Sequence, residues 1–256
     1  MEKIGDLIDT HAHLDEIEDL DESITQAKEA GVAAIIAVGS DLKSNDYTLS
    51  LSQRYKGFVY PALGLHPWSL KDADVEESLK FITSHINEAV AIGEIGLDYD
   101  KRVKARAAKE LQKEVLKLIL DIAGKYKKPV IIHSRYAWQD CLDLINEVAL
   151  EKVVFHWYTG TSSVLREIVS RGYFISATPA VEYHYEHRRA IKEAPLERLL
   201  LETDAPVVYQ RGTEFEYSSR PAHVLKVVKK VAELKEVAES KIAQITTENA
   251  TSFFSL

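Results

Sequence analysis

Eight short apolar runs recur along this chain: Leu7–Asp9, Ala33–Val38, Phe58–Leu63, Val90–Gly93, Val130–Ile132, Lys152–Phe155, Tyr173–Ser176 and Arg198–Leu201. Their starts lie about 20 to 40 residues apart, the interval taken by one strand and one helix. The intervening segments read as helices. Asp21–Ala30 stops at Gly31, Lys104–Lys127 carries Leu111, Val115, Leu118, Ile119 and Ile122 on one face, and Ser162–Arg171 ends at Gly172. Pro221–Leu234 and Ser240–Phe254 complete the set. Ala33–Val38 is apolar throughout rather than alternating, which fits a strand buried on both faces of a parallel sheet. Eight such βα units predict an α/β fold, a single TIM-type (β/α)8 barrel. The competing arrangement of the same units is an open doubly wound sheet.

The 256 residues are close to the usual size of such a barrel. No Pro/Gly/Ser-rich linker divides them, so residues 1–256 read as one domain. Hydrophobic residues make up 46% and charged residues 28%, which excludes a disordered or fibrous class. No apolar run approaches the roughly 20 residues needed to span a bilayer. With one cysteine, Cys141, and no visible secretory signal, the expected compartment is the cytoplasm. The net charge of −8 lacks the basic surplus of proteins that coat duplex DNA, so contact with nucleic acid would have to be local.

The chemistry-bearing residues cluster where the strands end. Asp9-Thr10-His11-Ala12-His13 follows the first run, His66 the third, Glu94 and Asp98 the fourth, His133 and Arg135 the fifth, His156 the sixth, and Glu202 and Asp204 the eighth. In a parallel barrel all these ends open on one face, where active sites are built. His11 and His13, two apart on extended chain, can offer both imidazoles to one cation, although such a pair alone also fits a surface pair. Glu94, between apolar strand and glycines, can bridge two metals with its two oxygens or form a salt bridge in the barrel mouth. His133 and His156 suit a second ion. Asp204 can bind metal and take a proton from water, or cap a helix before Pro206. Four histidines and two acids match the N/O preference of Zn, Mn and related ions. Glu202 can orient a ligating histidine from behind. His66 and Arg135 can hold a phosphate. Trp68 can stack a base or pack under a loop, and packing is the expected role.

These blocks together resemble the TatD family of metal-dependent deoxyribonucleases, within the amidohydrolase-like superfamily. The matching pieces are Asp9–Asp15, Ala62–Trp68, Ile92–Tyr99, Pro129–Arg135, Phe155-His156 with Gly160, and Leu200–Pro206, in the family's order from end to end. The resemblance implies a TIM barrel with two divalent metal ions (Mg, Mn or Zn). His11, His13 and Asp204 would hold one and His133 and His156 the other, with Glu94 between. It also implies DNA as substrate. The family commonly has Cys at Ala12, Cys-Phe-Ser at Trp157-Tyr158-Thr159 and Asn-Glu-Pro at Ser219-Arg220-Pro221. Those positions are expected at or near the pocket rim, where they would bear on specificity.

The expected reaction is metal-assisted hydrolysis of a phosphodiester, with Asp204 accepting the proton and His66 and Arg135 stabilising the phosphate. The acidic charge favours single-stranded ends or short oligonucleotides over long duplex. A second reading keeps the site but takes a small ester, lactone or amide. Many binuclear relatives of that kind bridge their metals with a carboxylated lysine, and no Lys stands at the fourth strand end here. A third reading is a catalytically idle scaffold, against which six intact ligands argue.

Overall fold

The computed structural model describes residues 5–71 and 73–256. Eight parallel strands lie side by side in chain order: β1 (Leu7–Ala12), β2 (Val32–Val38), β3 (Val59–Leu65), β4 (Ala91–Asp98), β5 (Val130–Arg135), β6 (Val153–Phe155), β7 (Phe174–Ala177) and β8 (Leu199–Leu201). Around them run α1 (Leu20–Glu29), α2 (Leu42–Arg54), α3 (Val75–Ser84), α4 (Lys101–Lys104), α5 (Lys109–Tyr126), α6 (Trp138–Asn146), α7 (Ser162–Ser170), α8 (Tyr185–Glu193), α9 (Val224–Lys235) and α10 (Glu239–Phe254). A small antiparallel hairpin, β9 (Val208–Tyr209) with β10 (Tyr217–Ser218), rises from the segment after β8.

The sheet is a barrel whose last seam is loose. Between β8 and β1 there is one bridge, Ala12 to Ala205, flanked by hydrogen bonds from His13 N to Ala205 O (2.7 Å) and from Asp204 N to His11 O (3.0 Å). Asp9 strengthens it, accepting from Thr203 N (2.9 Å) and Thr203 Oγ1 (2.6 Å). This seam brings residues nearly two hundred positions apart into register.

Two apolar layers hold the barrel. Leu63, Ile92, Ile132 and Phe155 are among the side chains packed between sheet and helices. Ile8, Ile36, Ala91, Ile131, Val154 and Leu200 face the interior and pack with Phe253 and Phe254 of α10. Ile8, Ala91 and Ile131 are the first or second residues of their strands, so α10 plugs the N-terminal end and leaves the C-terminal end to polar groups.

Two expectations change. The single helix expected over Lys104–Lys127 is broken: α4 stops at Lys104 and α5 begins at Lys109. The break is fixed by buried Gln112, which accepts from Asp98 N (2.8 Å) and donates to Asp98 O (3.0 Å) and Ala107 O (2.9 Å). Several strands also run past their apolar stretch, so His11, Glu94, Asp98, His133 and Arg135 lie on strands rather than after them. Neighbouring strands continue the backbone ladder there irrespective of side-chain polarity.

Candidate metal centre

On three strands the interior face passes from core to site in steps of two: Ile131 to His133, Val154 to His156, Leu200 to Glu202. β1 and β4 break that phase. Pairing of β1 with β2 shifts between Asp9 and Ala12, and pairing of β4 with β5 shifts between Ile92 and Ile95. Such irregularities re-aim side chains, and here they turn His11, His13 and Glu94 inward. Two glycines allow the close strand approach around Glu94. A Cβ on Gly64 would overlap the Gly93–Glu94 backbone, and one on Gly96, at φ +150°, would overlap the His133 carbonyl.

Glu94 stands at the centre. Its Oε2 lies 3.4 Å from both His11 Nε2 and His13 Nε2. Asp204 Oδ1 lies 3.5 Å from the same two nitrogens, which are 3.3 Å apart. Ligands about 2.1 Å from a central ion at tetrahedral corners are separated by about 3.4 Å. Five edges among these four atoms therefore match a small divalent cation. Glu94 Oε1 faces a second set: His133 Nδ1 at 2.8 Å and His156 Nε2 at 2.7 Å, themselves 3.4 Å apart. One carboxylate thus turns one oxygen to each set.

Electrostatics favour positive charge at both. Burial opposes protonation of His13, His133 and His156, yet the facing carboxylates of Asp204, Asp98, Glu94 and Glu202 outweigh it and raise all three above the ordinary imidazole value. Burial would raise Glu94, but His156 and His66 and hydrogen bonds from His11 and His13 hold it well below the carboxylate range. Asp204 is likewise lowered, with burial outweighed by His13, His11 and His156. The carboxylates that raise His13, His133 and His156 face their ring nitrogens, where a cation would sit.

Behind the rings lies Glu202. His11 and His156 stack at 4.2 Å, and their Nδ1 atoms are 3.7 Å and 3.5 Å from Glu202 Oε2. Those three buried atoms have no closer hydrogen-bond partner among the described residues. Glu202 Oε1 accepts from Trp157 N (2.9 Å) and from Ser176 Oγ. A carboxylate in this position fixes both rings with Nε2 forward, the orienting role expected of it.

His66 joins the cluster with Nε2 3.4 Å from Glu94 Oε1. Its Nδ1 accepts from Trp68 N (3.1 Å), so Nε2 carries the proton. Burial pushes its pKa down to about 4, leaving the ring a neutral donor. Arg135 does not reach the cluster; its guanidinium lies at the rim, 3.6 Å from Asp100. Asp204 caps no helix, since the segment after Pro206 runs into the β9–β10 hairpin and no helical turn begins before Pro221. Trp68 is not packed away: its ring is 46% exposed and its indole N–H donates to Asp98 Oδ2 (2.7 Å). The same oxygen lies 3.1 Å from His133 Nε2. Sequence reasoning gave Asp9 and Asp98 no role, although both flank ligands on their strands. Of the positions expected near the rim, Ala12 and Tyr158 are fully buried, Tyr158 donating to Thr161 O (2.8 Å).

A family model described as TatD related DNase matches residues 8–255. Human deoxyribonuclease TATDN3 is 34% identical over 97% of this chain and 94% of its own. The uncharacterized metal-dependent hydrolase YabD of Bacillus subtilis is 36% identical over 97% of this chain and 98% of its own. The crystal structure of YjjV, a TatD homolog from Escherichia coli, superimposes with a TM-score of 0.89 at 30% identity, covering 99% of this chain and all of that one.

Proposed function

The chain belongs to the TatD-related DNase family of metal-dependent hydrolases, and we propose that it cleaves phosphodiester bonds of DNA, at single-stranded ends or in short oligonucleotides, with two divalent cations. The observation that carries this reading is the pair of ligand sets sharing Glu94. His11, His13, Asp204 and Glu94 Oε2 would hold one ion, and Glu94 Oε1, His133 and His156 the other. Bound ions would supply Lewis acidity at a phosphoryl oxygen and charge in the transition state. Asp204, ionised and at the mouth, takes the proton of the attacking water on its carboxylate. His66 offers Nε2–H to a non-bridging phosphate oxygen. Arg135, at the rim, meets the strand outside the reacting phosphate. Glu202 and Asp98 hold the histidine rings.

Among the described residues no helix is long and apolar enough to cross a membrane. The lone cysteine, Cys141, is buried, and a reducing, cytoplasmic setting suits it. The test is exhaustive chelation, then readdition of Mg, Mn or Zn, with single-stranded DNA, duplex DNA, RNA and a small-ester panel as substrates. Activity on oligonucleotides is expected to vanish and return with metal. Full activity in protein verified metal-free, or turnover confined to esters, would overturn the reading.

A further inference from the structure

Six aromatic side chains are strongly exposed among the described residues, and five of them, Trp68, Tyr136, Tyr183, Tyr185 and Phe215, lie on segments that follow strand C-termini. Around one of the five the chemistry is particular. The segment 101–109 carries Lys101, Arg102, Lys104, Arg106 and Lys109 with no acid, in a chain whose net charge is −8. All five cations are exposed. A cleft of about 570 Å³ opens there, lined by Tyr99, Asp100, Lys101, Arg102, Lys104 and Tyr136.

The one carboxylate in the cleft is already engaged. Asp100 accepts from Arg102 N and Nε, both at 3.0 Å, and faces Arg135 at 3.6 Å. Lys101 and Lys104 make no ion pair among the described residues. Tyr136 is 62% exposed and held at φ +56°, a backbone conformation rare for a large side chain and concentrated at ligand sites. The cleft is tied to the metal centre through Asp98, whose Oδ1 accepts from Asp100 N (2.8 Å) while its Oδ2 contacts His133. Asp100 is six residues beyond Glu94, at most about 20 Å along extended chain, a distance of a few nucleotides.

We propose that this cleft is a nucleotide subsite, in which Tyr136 stacks a base and Lys101 and Lys104 take the adjoining phosphates of a single strand whose scissile bond lies at the metal centre. The inference rests on the DNase reading and adds a site away from the chemistry. Stacking against an aromatic face is sequence-tolerant, so the subsite would select for an unpaired strand rather than for a base.

The test is binding of fluorescein-labelled octathymidylate to the metal-loaded protein with Ca in place of the catalytic ion, followed by anisotropy across a salt series. Tyr136→Ala is expected to weaken binding about 5- to 150-fold, the range for loss of one stacked base, and Tyr136→Trp to restore it. Lys101→Ala/Lys104→Ala is expected to lower the slope of log affinity against log salt by about 1.4, near 0.7 for each phosphate that is no longer neutralised. Lys125→Ala/Lys127→Ala, at the opposite end of α5, controls for bulk charge and is expected to leave the slope alone. Unchanged binding in both cleft variants, or an equal effect in the control, would overturn the subsite while leaving the DNase reading standing. A parent protein that binds no octathymidylate would overturn the subsite as well. Turnover of bis(p-nitrophenyl) phosphate by the same protein reloaded with Mn then says whether the phosphodiesterase reading falls with it.

Discussion

Asp204 is the residue whose two proposed duties, ligand and base, can be pulled apart. Asn is nearly the same size and keeps an oxygen for a cation, but cannot take a proton as a carboxylate does. Asp204→Asn is expected to keep the fold and most of the metal while kcat falls about 10²–10⁴-fold, the usual contribution of a general base. The check is kcat on an oligonucleotide with bound metal counted in the same preparation. Near-normal kcat with normal metal would remove Asp204 from proton transfer. Most of the cluster that the fold brings together was legible in the sequence because each candidate ligand stands at the end of an apolar run: His133 after Ile132, His156 after Phe155, Asp204 after Leu201-Glu202-Thr203. Asp9 and Asp98 were not, because their roles depend on partners, Thr203 in one case and Trp68 with His133 in the other, that only folding brings near.

Elements set the aim of those residues. Gly96 lets β4 pass against the His133 carbonyl, so Gly96→Ala should displace the strand that carries His133. Overpacking of this kind costs about 1–3 kcal/mol, and melting should occur several degrees lower, with one metal equivalent lost before the fold is. A variant with parental Tm and full metal content would show that β4 tolerates the extra atom. The period-two strand pattern reveals which residues of β5 and β6 face inward. It cannot reveal the register shifts on β1 and β4 that turn His11, His13 and Glu94 to the same side, since such shifts come from pairing with neighbours. The break between α4 and α5 was hidden in the same way: the apolar spacing that marks the helix begins only at Leu111, and buried Gln112, reaching back to Asp98, pins where α5 starts.

At the scale of the whole molecule, the eight-unit repeat made the barrel legible, while its seam was not. Closure rests on Ala12, Ala205 and the Asp9–Thr203 bonds rather than on an apolar run. Metal binding at the proposed centre would couple to protonation and so to stability. Without metal, His13, His133 and His156 hold protons above the ordinary imidazole value. Their contribution to stability is then fully present below the unfolded value near 6.5 and lost as pH rises through the raised values. Cations must displace those protons, so metal affinity is expected to rise with pH over that window, with proton release on binding. Calorimetric titrations in two buffers of different ionisation heat would measure it. An affinity flat with pH would mean that the facing nitrogens are already unprotonated.

Two cations shared through Glu94 would make this barrel a phosphodiesterase. The decisive experiment is a titration of metal-free protein with Mn, counting bound ions per chain and oligonucleotide turnover in the same samples, for the parent and for Glu94→Gln. The parent is expected to bind two equivalents, with activity appearing as the second set fills, and Glu94→Gln to bind fewer or more weakly and to turn over far more slowly. Full turnover with no bound metal, or a Glu94→Gln protein that binds two ions as tightly as the parent and remains as active, would contradict it.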